Sequence, residues 1–488
     1  MKRFSSIIIL WLVASIAAVR AQYLTDAIRV YDNFYKGTAR TAGMANAFSS
    51  LGGDLGSVAI NPAGIGVYQS GDFSFSLGML SFDNKSTFYG TSYTETGYQF
   101  DFPSIGLLIN RKLDASSDWK SVNMYFGYNK MNNLNSMFDI RGFTSNTTLM
   151  NEFVSYANAS PNSLDSYFEQ LAYNLYVLDF DTVTNQFFSP YSGIPLQMQR
   201  SMETSGSLGE YSFGLGGNYN HQLYLGMTIN VRSGYYEDVY HHTEIDVDNQ
   251  ITDYSYTFNY QLMTWVSGWN AKFGLIYRPI EPLRFGLSIH TPSVLRIRQE
   301  MYTTMTAVDD NGSRFNEVPR DNSNNELGNF LDHYTFTTPF RTVVGVSYLF
   351  GERGLLSVDY ERANYSRIKV TSADDVGAKN ATNDDIKYYL HATNNVRVGG
   401  ELKLNSWYVR GGFAYYQSPY KSGEVNENAH TYVYAGGLGY RSKSFVIDFA
   451  YTFMQRSENY YLYSDPNLYP AKLENGVGSY VLTMGFRF

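Results

Sequence analysis

The chain ends on SYVLTMGFRF, Ser479 to Phe488, and this stretch decides the fold. Tyr480, Leu482, Met484, Phe486 and Phe488 share one parity, and Val481, Thr483, Gly485 and Arg487 share the other. Side chains of a strand alternate between its faces, so the segment reads as a strand with an unbroken apolar face and its charge on the opposite side. Working backwards, the same period recurs at Phe445–Phe453, Tyr432–Tyr440, Trp407–Tyr415, Val396–Leu404, Leu356–Tyr360, Phe340–Phe350 and Leu283–Ile289. It continues at Leu223–Val231, Tyr211–Tyr219, Val122–Tyr128, Tyr98–Phe102 and Phe73–Met79. With a long strand over Tyr254–Tyr277 the total is about fourteen, an even number such as closed single-chain barrels have.

Composition agrees with this pattern. The 488 residues include 44 Tyr, 32 Phe and 42 Gly, and only 17% are charged. Asp101, Arg232, Lys272, Arg284, Arg341, Asp359, Arg397, Glu401, Arg410 and Asp448 all fall opposite the apolar rows. Lys or Arg facing lipid at mid-bilayer costs about 2–4 kcal/mol, so a membrane barrel turns such residues into its lumen. A soluble sandwich or propeller would segregate charge equally well, and the ends of the strands separate the two readings. Short connections at 219–222, 278–283, 351–354, 405–406 and 441–444 are flanked, on the apolar parity, by Tyr219, Tyr277, Phe285, Phe350, Trp407, Tyr440, Phe445 and Phe488. Aromatic rings gathered at one end mark a membrane interface. The expected fold is an all-β membrane protein, an antiparallel transmembrane β-barrel of about fourteen strands.

The first residues read as a secretory leader. Lys2 and Arg3 precede an apolar run from Ile7 to Val19, too short to span a bilayer, and cleavage is expected after Ala21. The chain contains no Cys, so it is neither acylated on Cys nor stapled by disulfides. Loss of Lys2, Arg3 and Arg20 would carry the formal charge from −8 further negative, which argues against nucleic acid as a partner.

Connections at the other end are long, 144–206 and 307–334, as external loops are. Within the first, Leu164, Tyr167, Phe168 and Leu171 recur at helical spacing after Asn162, a possible cap, and Leu149–Ala157 forms a shorter apolar face. These faces either pack on one another or form an apolar groove at the outer mouth. Both chain ends are expected on the short-turn side. Residues 22–70 precede the first strand and carry SVAINPAGIGVY, Ser57–Tyr68, which suits neither helix nor strand. A barrel this wide encloses more space than side chains fill, so this segment is expected as a plug inside the lumen, ahead of a barrel over 71–488.

Asn61-Pro62-Ala63-Gly64, placed after TAGMANAF and before the first strand, resembles the FadL/OmpP1/TodX family of outer-membrane transporters for hydrophobic compounds. GYNKMNNLN (127–135), LRFGLSIHTP (283–292) and VDYERANYSR (358–367) resemble the form of this family found in bacteria of the Bacteroidetes type. Gly52–Gly56 departs from the acidic pair and alanines that family members often carry. The terminal Phe488 resembles the signal read by the outer-membrane assembly machinery. The resemblance implies a monomer in a Gram-negative outer membrane, bounded by its lipid and lipopolysaccharide. It implies passive transport of a hydrophobic ligand, a long-chain fatty acid or similar molecule, gated by plug movement at Asn61–Gly64. It also implies lateral exit at a kink in the third strand.

The residues offer matching irregularities. Apolar alternation stops at Asn129 and resumes near Phe138, with Asn132, Asn133 and Asn135 between, and parity slips at Phe102-Pro103-Ser104. Lumen cations available to a carboxylate are Arg232, Arg341, Arg397 and Arg410, unless they pair with Asp359, Glu401 and Asp448. No nucleophile elbow, zincin or P-loop motif occurs, and no enzyme activity, cofactor or metal is expected. The alternatives are an open diffusion porin and a surface receptor for haem or a host ligand. His241-His242 reads as solvated surface on an outer connection.

Overall fold

In the computed structural model, residues 17–114, 116–248, 250–251, 253–373 and 376–488 are described, with side chains from Leu24 onward except at 253 and 254. Most of the expected leader lies outside the described residues. Fourteen antiparallel wall strands close into a barrel. They are β1 (Asp72–Phe88), β2 (Thr91–Lys112), β3 (Trp119–Asn133 and Ser136–Thr144), β4 (Leu196–Tyr219), β5 (Leu223–Asp246), β6 (Asp253–Ile280) and β7 (Leu283–His290 and Val294–Asp309). The circuit continues with β8 (Phe330–Thr337 and Arg341–Leu349), β9 (Gly354–Asn364 and Lys369–Ala373), β10 (Ala392–Leu404), β11 (Trp407–Tyr416), β12 (Thr431–Arg441), β13 (Phe445–Tyr460) and β14 (Ala471–Arg487). β14 returns to β1 in a continuous register from Asp72↔Arg487 to Thr87↔Lys472. Closure leaves no sheet edge at this joint, which is what permits strands to cross hydrocarbon.

The two faces of the wall differ as the alternation requires. Met79, Phe126, Ile229, Phe273, Val344, Leu438 and Phe449 are exposed on the outside, while Asp101, Lys272, Asp359, Arg397 and Arg410 are buried inside. A soluble monomer rarely exposes so extensive an apolar surface, so the outer solvent is lipid. Tyr277, Phe285, Phe350, Trp407 and Phe488 form the exposed ring at the short-turn end. The parity slip at Phe102-Pro103 is a bulge: Ser76 pairs with Ser104, but Gly78 pairs with Asp101. Pro cannot donate to the ladder, and the extra residue re-aims Ile105 and Ile109 outward.

Three features differ from the sequence expectation. β4 begins at Leu196, so its first residues extend the wall into the segment read as loop. Of the two loop helices, α3 (Leu149–Ala159) matches its apolar face. The second, α4 (Glu169–Asn174), starts beyond Leu164 and Tyr167, with no side-chain cap. Asn162 therefore caps neither helix, and 166–168 is a turn leading into α4. The leading helix α1 (Ala17–Tyr31) lies inside the barrel toward the loop end, not on the short-turn side. Its Asp26 carboxylate accepts hydrogen bonds from Gln299 Nε2 (2.9 Å) and the Tyr334 hydroxyl (2.7 Å), and Ile28 and Val30 pack with Leu208, Val266 and Ile297.

Candidate functional site

The lumen is filled by the chain that precedes β1. After α1 come a short helix α2 (Ala39–Ala42) capped by Thr38, and two 3₁₀ turns, Leu55–Ala59 and Pro62–Val67, capped by Asp54 and Asn61. Asn61 starts its turn by accepting from Ala63 N (3.0 Å). Its amide donates to Ser49 O (2.6 Å) within the plug and to Leu275 O (3.2 Å) in β6. Pro62 follows at the first position of the turn, where its missing N–H costs nothing. One amide thus joins two plug segments and the wall. Asn61→Ala removes all three bonds and leaves buried carbonyls unpaired, at about 1–3 kcal/mol. We expect faster hydrogen exchange of the plug amides near Asn61 at unchanged barrel abundance on immunoblots; unchanged exchange would show that these bonds do not hold the plug.

Wall glycines make room for this packing. A Cβ on Gly274 would meet Asn61 Oδ1 at 1.9 Å, and one on Gly226 would meet Pro62 O at 2.1 Å. These are close approaches of plug backbone to wall backbone that only Gly permits. Sequence reading assigned these glycines no role; small residues on the lumen parity were the available signal.

Charge anchors the plug as well. Glu401 of β10 receives Arg40 of the plug in a forked pair, at 2.9 and 3.0 Å, and also Arg410 of β11 at 2.6 Å. Arg410 reaches Asp448 at 2.7 Å. Asp359 accepts from Phe48 N (3.0 Å), Ser49 N (2.9 Å) and Ser49 Oγ (2.6 Å). Arg341 and Arg397 share Glu361, at 2.6 and 2.9 Å, and Arg341 also donates to Tyr31 O. Arg232 lies 3.8 Å from Glu210 and donates to Val30 O (3.2 Å) and Asn33 Oδ1. All four arginines singled out in the sequence therefore sit in plug–wall or wall–wall networks, each with at least one carboxylate.

The third strand breaks where the asparagines cluster. β2 and β3 pair from Lys112↔Ser121 up to Ser104↔Asn129 and no further. Above that point Thr91–Pro103 of β2 pairs with β1 alone, among the described residues. The upper half of β3 keeps its partner β4 but folds inward behind the β1–β2 hairpin. Asn84 Nδ2 of β1 donates to Met137 O (3.0 Å), and the Arg141 guanidinium lies 4.7 Å from the Tyr93 ring. The break is bridged by amides: Asn133 Oδ1 accepts from Asn135 N (3.0 Å), and Asn135 Oδ1 from Gly206 N (2.7 Å). Asn129 Nδ2 donates to the Tyr125 hydroxyl (3.1 Å), and Asn132 is buried beside the register shift. The plug takes the place that β2 leaves: Phe34 N donates to Met131 O (2.8 Å), Lys36 N to Lys130 O (3.1 Å), and Ser104 Oγ to Gly37 O (3.1 Å). A seam in the wall and the plug thus share hydrogen bonds.

Above the lumen, α3, α4 and their connections form an apolar cap with upper-wall residues Phe138, Met198, Phe258, Met305 and Leu473. Leu171 is buried within it, Leu164 and Phe168 pack on it, and Phe168 meets Phe153 and Phe258. Tyr167 lies at the edge, its hydroxyl 2.8 Å from Gly328 O. Leu164, Phe168 and Leu171 are thus brought together in the cap, while Tyr167 stands at its rim with its ring 5.9 Å from Phe330. His242, expected at the surface, is fully buried, its Nε2–H donating to Glu244 Oε1 (2.9 Å) and its Nδ1 accepting from Arg200 Nε (3.2 Å). Glu244 in turn receives Leu149 N at the start of α3 (2.9 Å), so the residue fastens the cap. Only His241 faces outward, toward Asn259.

Glu169 at the start of α4 makes the cap pH-sensitive. Burial pushes its carboxyl up to about 7, against the hydrogen bond from Asp165 N (2.9 Å) that favours the charged form. Its unfolded value lies near 4.5. The folded cap therefore holds its proton more tightly, and its stability falls as pH rises from 4.5 through 7, by an upper limit on the order of 3 kcal/mol. Limited proteolysis of the 145–195 loop is expected to run faster at pH 8 than at pH 5.5, and Glu169→Gln should flatten the difference.

The whole barrel with its internal plug has counterparts among solved structures. A FadL homologue from Pseudomonas aeruginosa superposes with a TM-score of 0.54 at 13% identity, covering 93% of this chain and 98% of that one. The toluene transporter TodX of Pseudomonas putida gives 0.52 at 12%, covering 92% and 98%. At such identities the likeness is one of architecture, and it extends over at least 92% of each chain. No family model matches the sequence, and no curated protein matches it either.

Proposed function

We propose that this chain is an outer-membrane transporter that admits hydrophobic molecules, long-chain fatty acids foremost, by diffusion through a plugged barrel with a lateral exit. The observation that carries this reading is the seam: β2 loses β3 above Ser104↔Asn129, and plug backbone occupies the freed edge. A polar solute gains nothing from an opening toward lipid, whereas an apolar one is delivered into its preferred solvent. The plug speaks against an open porin, since Gly226 and Gly274 are in direct contact with Pro62 and Asn61. The fold shared with a FadL homologue and a toluene transporter supports the same reading. The asparagine bridge at Asn133 and Asn135 is the proposed hinge of the exit, and the rim of the cap at Tyr167 the proposed landing area.

The test is uptake of radiolabelled oleate by Gram-negative cells that lack their own fatty-acid transporter, with and without this protein. Uptake well above the empty-vector level supports the proposal. Background uptake with folded protein at the cell surface overturns it.

A further inference from the structure

Three neighbouring wall strands are interrupted at one level. β7 breaks between His290 and Val294, β8 between Thr337 and Arg341, and β9 between Asn364 and Lys369. Below the breaks His290 pairs with Arg341 and Arg341 with Ala363. Above them Val294 pairs with Thr337 and Thr337 with Lys369. Two of the interruptions carry a proline, Pro292 and Pro339, which cannot donate to a ladder. The joint is hydrogen-bonded: Ser293 N donates to Thr338 Oγ1 (2.8 Å), Thr338 N to Ser293 O (3.0 Å) and Ala271 N to Thr291 Oγ1 (2.9 Å).

The outer face of the wall changes character across this line. Ile289, Val344 and Val358 are exposed below it, and Trp269, Phe340 and Tyr360 are exposed beside it. Around and above it the exposed residues include five cations: Arg296 and Arg298 on β7, and Arg362, Arg367 and Lys369 along β9. Leu295, Ile297, Ile368 and Val370, which alternate with them, are buried inside, so the period of two sets the cations on the lipid side. The Arg298 guanidinium lies 5.1 Å from the Trp265 ring and pairs with Glu300, and Arg362 donates to Asn394 Oδ1. Arg296, Arg367 and Lys369 have no hydrogen bond or ion pair among the described residues. By contrast, Lys85 and Lys472, outward on β1 and β14, lie against Glu474.

A cation is tolerated on the lipid face only near an interface, and exposed Trp and Tyr mark the same height. The line of breaks therefore lies at the outer headgroups. Like charges crowded there repel one another until an anion joins them. Arg296 and Lys369 stand two strands apart, about 10 Å, a span that two long side chains can close around one phosphorylated head.

We propose that this patch binds the phosphorylated head of an outer-leaflet glycolipid, the lipid A part of lipopolysaccharide, with Arg296, Arg298 and Lys369 on its phosphates. The acyl chains run down the wall over Trp269, Phe340 and Val344. A soluble anion shares the phosphate chemistry but gains nothing from that apolar surface. The inference is independent of transport and requires only that the wall face lipid.

The test measures, by native mass spectrometry, binding of diphosphoryl lipid A and of the same lipid without its phosphates to the purified full-length protein in detergent. The wild type should hold the diphosphorylated form at least about tenfold more tightly. The triple variant Arg296→Gln, Arg298→Gln, Lys369→Gln should reduce that preference to within about twofold. Arg296→Lys with Arg298→Lys should keep most of it, and Lys85→Gln with Lys472→Gln, on the opposite side of the barrel, should leave it unchanged. Heat-modifiable gel mobility confirms that each variant is folded. No preference in the wild type, a triple variant that keeps it, or an equal loss in the Lys85 and Lys472 variant overturns the site. So does displacement of lipid A by equimolar pyrophosphate or polyglutamate, which would make the ligand a soluble anion or an acidic polypeptide.

Discussion

Removing residues 22–70 behind the leader should convert a nearly closed barrel into an open pore. Wall contacts carry the closure: Met44 packs against Gly412, Ser49 against Gly286, Pro62 against Gly226 and Ile65 against Gly216. A wall of fourteen strands encloses a bore that side chains alone do not fill. In planar bilayers the deleted form is expected to show steady ionic current at least roughly tenfold above the intact protein. The barrel should persist, because β1–β14 closure does not involve the plug. Equal conductance of the two forms would mean that the intact lumen is already open, and the porin alternative would stand.

The second large effect is expected at Asp359. Its carboxylate accepts two plug amides and the Ser49 hydroxyl, and faces Arg397 at 3.8 Å. A buried pair adds little net stability, but removing one member strands its partners, at about 3–5 kcal/mol. Asp359→Ala therefore leaves the Phe48 and Ser49 N–H groups without acceptors and Arg397 with Glu361 alone. By 1.4 kcal/mol per decade, local opening of the plug should become roughly 10²–10³ times more frequent. Hydrogen exchange of the amides at 48–66 reads this directly, with exchange in the wall strands unchanged as the internal control. A uniform acceleration across the wall would instead assign Asp359 to the barrel's own stability.

The two results bear on different parts of one device. Deletion asks whether the plug closes the bore, and Asp359→Ala asks what holds it there. If plug opening also separates Phe34 from Met131, the seam beside β3 loses the strand-like partner that now covers its edge.

Much of this protein was legible one strand at a time. The alternation in Ser479–Phe488 and its predecessors, the charges at Asp101, Arg232 and Arg397, and the rings at Tyr277, Trp407 and Phe488 all follow from a period of two beside a solvent that rejects charge. The asparagine run at 129–135 and Pro103 marked the two irregularities of the wall, because each breaks that local period. Which groups pair with which inside the barrel was not legible. The pairing of Arg40 with Glu401 and of Arg341 with Tyr31 O, the contact of His242 with Tyr463 in the cap, and the close approach at Gly226 and Gly274 depend on residues more than a hundred positions apart. Periodicity records which face a side chain points to, whereas pairing within a closed lumen is set only when the cylinder shuts and brings both ends of the sequence together.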